Sequence, residues 1–138
     1  MASRRGFLAC AICSAIGLVA TGVDAPAQAQ GAPASGGVVR KMLSTTDYPG
    51  DGKVSILMTL EAPEGTVIAR HTHPGIESSV MTEGEMELEV QGQAPRRVTA
   101  GEGFQVPPGT PHGGKILKHA RFAITYVVEK DKPLASPA

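Results

Sequence analysis

The chain has 138 residues, with thirteen basic and thirteen acidic side chains and a formal charge of zero. That length suits one domain with a modest core, and the charge balance argues against a nucleic-acid surface or an acidic tail. Seventeen glycines and eleven prolines imply frequent turns, and Val, Ile and Thr fall in short runs, so an all-β chain is expected.

Residues 1–29 carry the three parts of a cleavable export signal. Ser3-Arg4-Arg5-Gly6-Phe7-Leu8 precedes an apolar run from Leu8 to Ala20, and a small-residue stretch ends in Ala27-Gln28-Ala29. The Arg4-Arg5 pair ahead of Gly-Phe-Leu resembles the twin-arginine signal, which a receptor reads. The apolar run is too short to cross a bilayer comfortably, so no membrane association is expected after cleavage. Cys10 and Cys13 leave with the signal, and the mature protein is left without disulfides or thiolate ligands. Its expected place is the periplasm or the exterior.

Residues 30–37, rich in Ala, Gly, Pro and Ser, read as a flexible leader. The domain is expected over residues 38–129. Strands are predicted at Val38–Ser44 and Lys53–Glu61 around the Tyr48–Gly52 turn, then at Thr66–His73 after the Pro63-Glu64-Gly65 turn. Glu77–Thr82 and Glu85–Gln91 read as a hairpin about Glu83-Gly84. Arg96–Ala100, Gly103–Val106, His112–Leu117 and Arg121–Glu129 follow, and residues 130–138 read as a frayed tail. Period-two alternation turns Met86, Leu88 and Val90 inward and Glu85, Glu87 and Glu89 toward water. Val54, Ile56, Met58 and Leu60 share one inward face, and Phe122, Ile124, Tyr126 and Val128 share another. Short strands with turns this frequent suggest a sandwich or a double-sheet barrel. Leu57 and Val80 fall on the outer face, where a homodimer interface would bury them.

Two segments concentrate the chemistry. The first is Gly65-x5-His71-x-His73-x3-Glu77 followed by Gly84; the second is Gly101-x5-Pro107-x-Gly109-x2-His112. On a strand, Val67, Ala69, His71 and His73 point to one side and Ile68, Arg70 and Thr72 to the other. Pro74-Gly75 turns the chain so that Glu77 returns toward the histidines, and a proline-rich turn precedes His112. Three imidazoles and one carboxylate make a mixed N/O site for a divalent metal, with one or two positions left open. His119, between Lys118 and Arg121, reads as a surface residue.

These segments resemble the paired motifs of the cupin superfamily, G-x5-H-x-H-x3,4-E-x6-G and G-x5-P-x-G-x2-H-x3-N. Gly65, His71, His73, Glu77 and Gly84 match the first in full. Gly101, Pro107, Gly109 and His112 match the second, whose terminal Asn is Ile116 here. The resemblance implies a double-stranded β-helix, or jelly-roll, barrel that is dimeric or larger, with His71, His73, Glu77 and His112 as metal ligands. It does not name a reaction, because the superfamily includes dioxygenases, decarboxylases, isomerases, lyases, storage proteins and sensors.

The first functional expectation is an exported metal-dependent enzyme, a dioxygenase-like oxidoreductase, with Glu77 as ligand or as proton acceptor. Strand parity places Met58, Met81, Met86, Phe104 and Tyr126 around the site, an apolar lining suited to a small apolar or aromatic substrate. The second is a non-catalytic metal or small-ligand binding protein; the third is a barrel whose site no longer takes metal. Copper and zinc outcompete iron and manganese for such ligands. Export of a folded, already loaded protein would favour iron, manganese or nickel, with zinc or copper as the alternatives.

Overall fold

The computed structural model describes residues 37–138 apart from Asp51. The export signal with Arg4, Arg5, Cys10 and Cys13, almost all of the expected leader, and Asp51 of the first turn lie outside the described residues. Eight strands follow in order: β1 (Val39–Tyr48), β2 (Lys53–Ala62), β3 (Val67–Thr72), β4 (Gly75–Val90), β5 (Arg96–Thr99), β6 (Gly103–Val106), β7 (His112–Glu129) and β8 (Ser136–Pro137). Every pairing is antiparallel.

Two long strands organise the barrel. The first half of β4 pairs with β6 and with the second half of β7, which also pairs with β2, and β2 pairs with β1. The second half of β4 pairs with β5 and with the first half of β7, which also pairs with β3. With β8 on the free edge of β3, each layer has five strands, and β4 and β7 pass from one layer to the other, giving the all-β jelly roll expected. Between the layers lies an apolar core that includes Ile56, Met58, Met86, Leu88, Ile116, Phe122, Ile124 and Val128. Each fully buried side chain of this kind contributes about 1.5–3 kcal/mol through removal from water.

The layer change corrects two expectations. Glu83-Gly84 is not a hairpin turn but a corner inside β4, where the register with β7 shifts between Met81 and Met86. His112–Leu117 and Arg121–Glu129 likewise belong to one bent strand. Gly84 has φ +93°, and a Cβ there would lie 2.1 Å from the His119 carbonyl oxygen. Only glycine lets the two corners touch.

The same corner overturns one polarity assignment. Glu87 and Glu89 are exposed, but Glu85 is buried, because the shift between Glu85 and Met86 breaks the alternation. Glu85 is paired with Arg97 at 2.7 Å and Lys118 at 2.8 Å. The hydrogen bond from Lys118 holds its pKa below the ordinary value. The tail also differs from expectation: β8 pairs with β3, and Leu134 is only 2% exposed. It does not fray, because Leu134 has an apolar pocket to fill and β3 has an open edge to pair.

Candidate metal centre

His71 lies near the end of β3, His73 just beyond it, Glu77 in β4 and His112 at the first position of β7. All four are buried, and one ligand atom from each lies within 4.8 Å of all the others. The inward direction of His71 does not come from simple alternation. Val67 is 55% exposed and Ala69 is exposed, whereas Ile68 and His71 both face the interior. Ile68 pairs with Gly114 and His71 with His112, so β3 carries one extra residue between them. This bulge moves the inward set by one position and corrects the expected placing of Val67, Ala69 and Ile68. Gly113 accommodates it, since a Cβ there would meet the Ile68 carbonyl oxygen at 2.6 Å.

Each imidazole is aimed by a backbone carbonyl. Nδ1 of His71 donates to Ala69 at 2.7 Å, Nδ1 of His112 to Thr110 at 2.9 Å, and Nδ1 of His73 to Leu134 at 2.6 Å. A carbonyl can only accept, so the hydrogen sits on Nδ1 and the Nε2 lone pair is directed into the site. Nε2 of His71 and His73 are 3.1 Å apart, and Glu77 Oε2 is 2.9 Å from Nε2 of His73 and 3.1 Å from that of His112. Lone pairs converging this closely require a proton or a cation between them. One divalent ion with bonds of about 2.0–2.2 Å would satisfy the set, and the residues fit a metal on that chemistry.

Residues outside the expected set support it. Ser79 Oγ donates to Glu77 Oε1 at 2.6 Å, leaving Oε2 for the shared point. The Gly109 amide donates to the His73 carbonyl at 2.9 Å, which ties the proline-rich turn to the first histidine segment. The Ala69, Thr110 and Ser79 contacts are two residues away in sequence, so a local reading could have found them. Leu134 is 61 residues from His73 and left no such signal. Ile116, standing where the family motif has Asn, is fully buried in the core; Thr110 is what orients His112. His119 lies apart from the cluster, with its Nε2 3.1 Å from a Glu61 carboxylate oxygen.

The electrostatics favour bound cation. Burial pushes the His71 pKa down to about 4, so the ring is neutral and ready to coordinate at pH 7. Burial opposes ionisation of Glu77, but the contacts with His112 and His73 and the hydrogen bond from Ser79 outweigh it and hold the carboxyl well below its usual range. Burial also opposes charge on His112, yet the bonds to Glu77 and Thr110 prevail and its pKa is raised. A metal must displace the proton held there. Affinity for metal is therefore expected to keep rising with pH above 6.5, the ordinary imidazole value. Titration calorimetry in buffers of different ionisation enthalpy would detect the released proton; affinity that is flat from about pH 6 to pH 8 would contradict this.

A cavity of about 60 Å³ adjoins the cluster. Met58, Met86, Phe104 and Tyr126 line it as parity suggested, together with Leu60, Phe122 and Leu134. Met81 is fully buried but lies at the β4 corner and is not part of this wall. Parity gives the face, not the distance along it. The wall also includes Arg40, so it is not as free of charge as the alternation implied.

The tail's part in the site is testable. Removing residues 133–138 takes away the carbonyl that aims His73, and metal affinity is expected to fall about 10- to 100-fold, measured by chelator competition. Leu134→Ala keeps that carbonyl and should cost less. A truncated chain that holds metal as well as the full one would rule the contact out as a positioning element.

Fold and site together define a jelly-roll protein with a three-histidine, one-carboxylate cluster able to bind a metal ion. A model of the cupin domain family matches residues 58–128. The match covers just over half of the sequence, and the chain belongs to the cupin superfamily. No curated protein matches it in sequence. An RmlC-like cupin from Shewanella frigidimarina is 25% identical, with a TM-score of 0.59 over 70% of this chain and 81% of the other. A double-stranded β-helix protein from Klebsiella pneumoniae is 21% identical, with a TM-score of 0.58 over 78% and 89%. The DMSP lyase DddQ from Ruegeria pomeroyi is 20% identical, with a TM-score of 0.60 over 73% and 51%. The last two likenesses concern the fold alone.

Proposed function

We propose that this protein is an exported metal-dependent enzyme, a dioxygenase-like oxidoreductase acting on a small substrate at an ion held by His71, His73, Glu77 and His112. The observation that carries the reading is the convergence of three Nε2 atoms and a carboxylate oxygen at the wall of an apolar cavity. A bound iron, manganese or nickel ion supplies Lewis-acid and redox chemistry there. The protein's own part is to orient the ligands through the Ala69, Thr110 and Leu134 carbonyls and to exclude water with Met58, Phe104 and Phe122. Glu77 acts first as a ligand, and its Oε1, which accepts from Ser79, is the atom that would take a proton from substrate. The cavity, at about 60 Å³, is far below the roughly 150 Å³ that encloses benzene. Small substrates fit this reading, whereas aromatic ones would enter only in part.

Export through the twin-arginine-like signal belongs to the same proposal, as does a homodimer. Leu57, Ile76 and Val80 are exposed on the outer face of β2 and β4, on either side of Thr125, Val127 and Ala123 of β7. That face has few charges and is the expected contact, so light scattering should give twice the chain mass, with a monomer for Leu57→Lys.

The test of the function is metal analysis of natively exported protein, followed by oxygen uptake with a panel of small diketones, enols and diphenols. About one equivalent of a transition metal and uptake with at least one compound are expected. Less than about a tenth of an equivalent would refute the metal centre. Full metal with no uptake would favour a non-catalytic binding protein, a reading that the small cavity also suits.

A further inference from the structure

Among the described residues, Arg40 is the one arginine or lysine in the cavity wall. It stands beside Leu60 in the β1–β2 register, and Met42 stands beside Met58, so β1 directs Arg40 to the same inward face as the apolar lining. It is half-buried and makes no ion pair or side-chain hydrogen bond among the described residues. The other arginines described all have partners: Arg70 with Gln91, Arg96 with Gly103, Arg97 with Glu85 and Arg121 with Glu61. Tyr126 is 6% exposed in the same wall, with its ring 4.7 Å from that of His73. Its hydroxyl has no hydrogen-bond partner among the described residues, yet it is not sealed off as an unsatisfied buried atom. Arg40 and Tyr126 thus border one small apolar space that the metal ligands also line.

A guanidinium in an apolar wall is suited to a planar anion, which it can meet with parallel hydrogen bonds. Phosphate, with its higher charge, is disfavoured by the apolar surroundings. We propose that Arg40, assisted by the Tyr126 hydroxyl, selects a short-chain carboxylate as the ligand of this cavity and turns its other end toward the metal centre. The proposal rests on the metal-centred reading above and gives its substrate class. It also replaces the expectation of a small apolar or aromatic substrate, which followed from strand parity without β1.

The experiment uses cobalt-loaded protein, with the cobalt absorption spectrum and titration calorimetry as readouts and acetate and acetamide as probes. Acetate should bind at least about tenfold more tightly than the neutral amide. Arg40→Met should lose most of that preference while keeping full cobalt content, and Arg40→Lys should recover part of it. Tyr126→Phe should weaken acetate by a smaller factor, about threefold. An unchanged acid-to-amide ratio in Arg40→Met, or no preference in the unaltered protein, would overturn the assignment and leave the metal centre standing. Protein that takes up no cobalt would overturn both readings.

Discussion

His73→Ala is expected to reduce metal affinity by well over a hundredfold, more than loss of any orienting contact, and to leave a folded barrel. His73 gives the site its Nε2 and connects it to the tail through Leu134. Removing it takes away one of four ligand atoms and also unpairs a buried carbonyl, a cost of about 1–3 kcal/mol. The core does not depend on that contribution, since the buried apolar side chains of β2, β4 and β7 pack without the ligands. Metal content and thermal unfolding of the same preparation separate the two effects. His119→Ala is the control: its side chain is 45% exposed and paired only with surface Glu61. Such pairs are worth about 0–1 kcal/mol, and metal should be unaffected. Equal loss of metal in the two variants would show that the division between site and surface is wrong.

Gly84→Ala should cost about 3 kcal/mol or more and leave little folded protein. Two penalties combine there. The φ of +93° is unfavourable for any side chain, and the new Cβ would meet His119 and Ala120 backbone atoms at 2.1 and 2.7 Å. Backbone at the corner of two long strands cannot move aside as a flexible side chain can. Gly92→Ala separates the penalties, because its φ is +81° and nothing lies within 4 Å of its Cβ. It should lose only about 1–2 kcal/mol. Urea denaturation measures both, and similar midpoints for the two variants would mean that the close approach of β4 to β7 costs nothing.

The two variants also show how much of the molecule was legible in one dimension. Gly84 stood out as a motif residue, but as the centre of a hairpin. Its real role is a corner, and a corner and a turn leave the same local signal: glycine between two alternating runs. The alternation of β2 and the end of β7 was read correctly, because each has one face on the core throughout. It failed at Val67, Ala69 and Glu85, each next to a register shift that adds or removes a residue against the partner strand. A bulge changes parity without any residue type that marks it.

The chain by itself determined the class of fold and the four residues brought together at the candidate metal centre. The reason is local: His71, His73 and Glu77 lie within one strand and its turn, and His112 follows a turn with its own proline and glycine pattern. Three features were decided only by tertiary structure: the Leu134 carbonyl behind His73, Arg40 in the cavity wall, and the true inward set of β3. Each depends on strands far apart in sequence, paired in a register set by burial of the whole core. No window of residues along the chain contains that information.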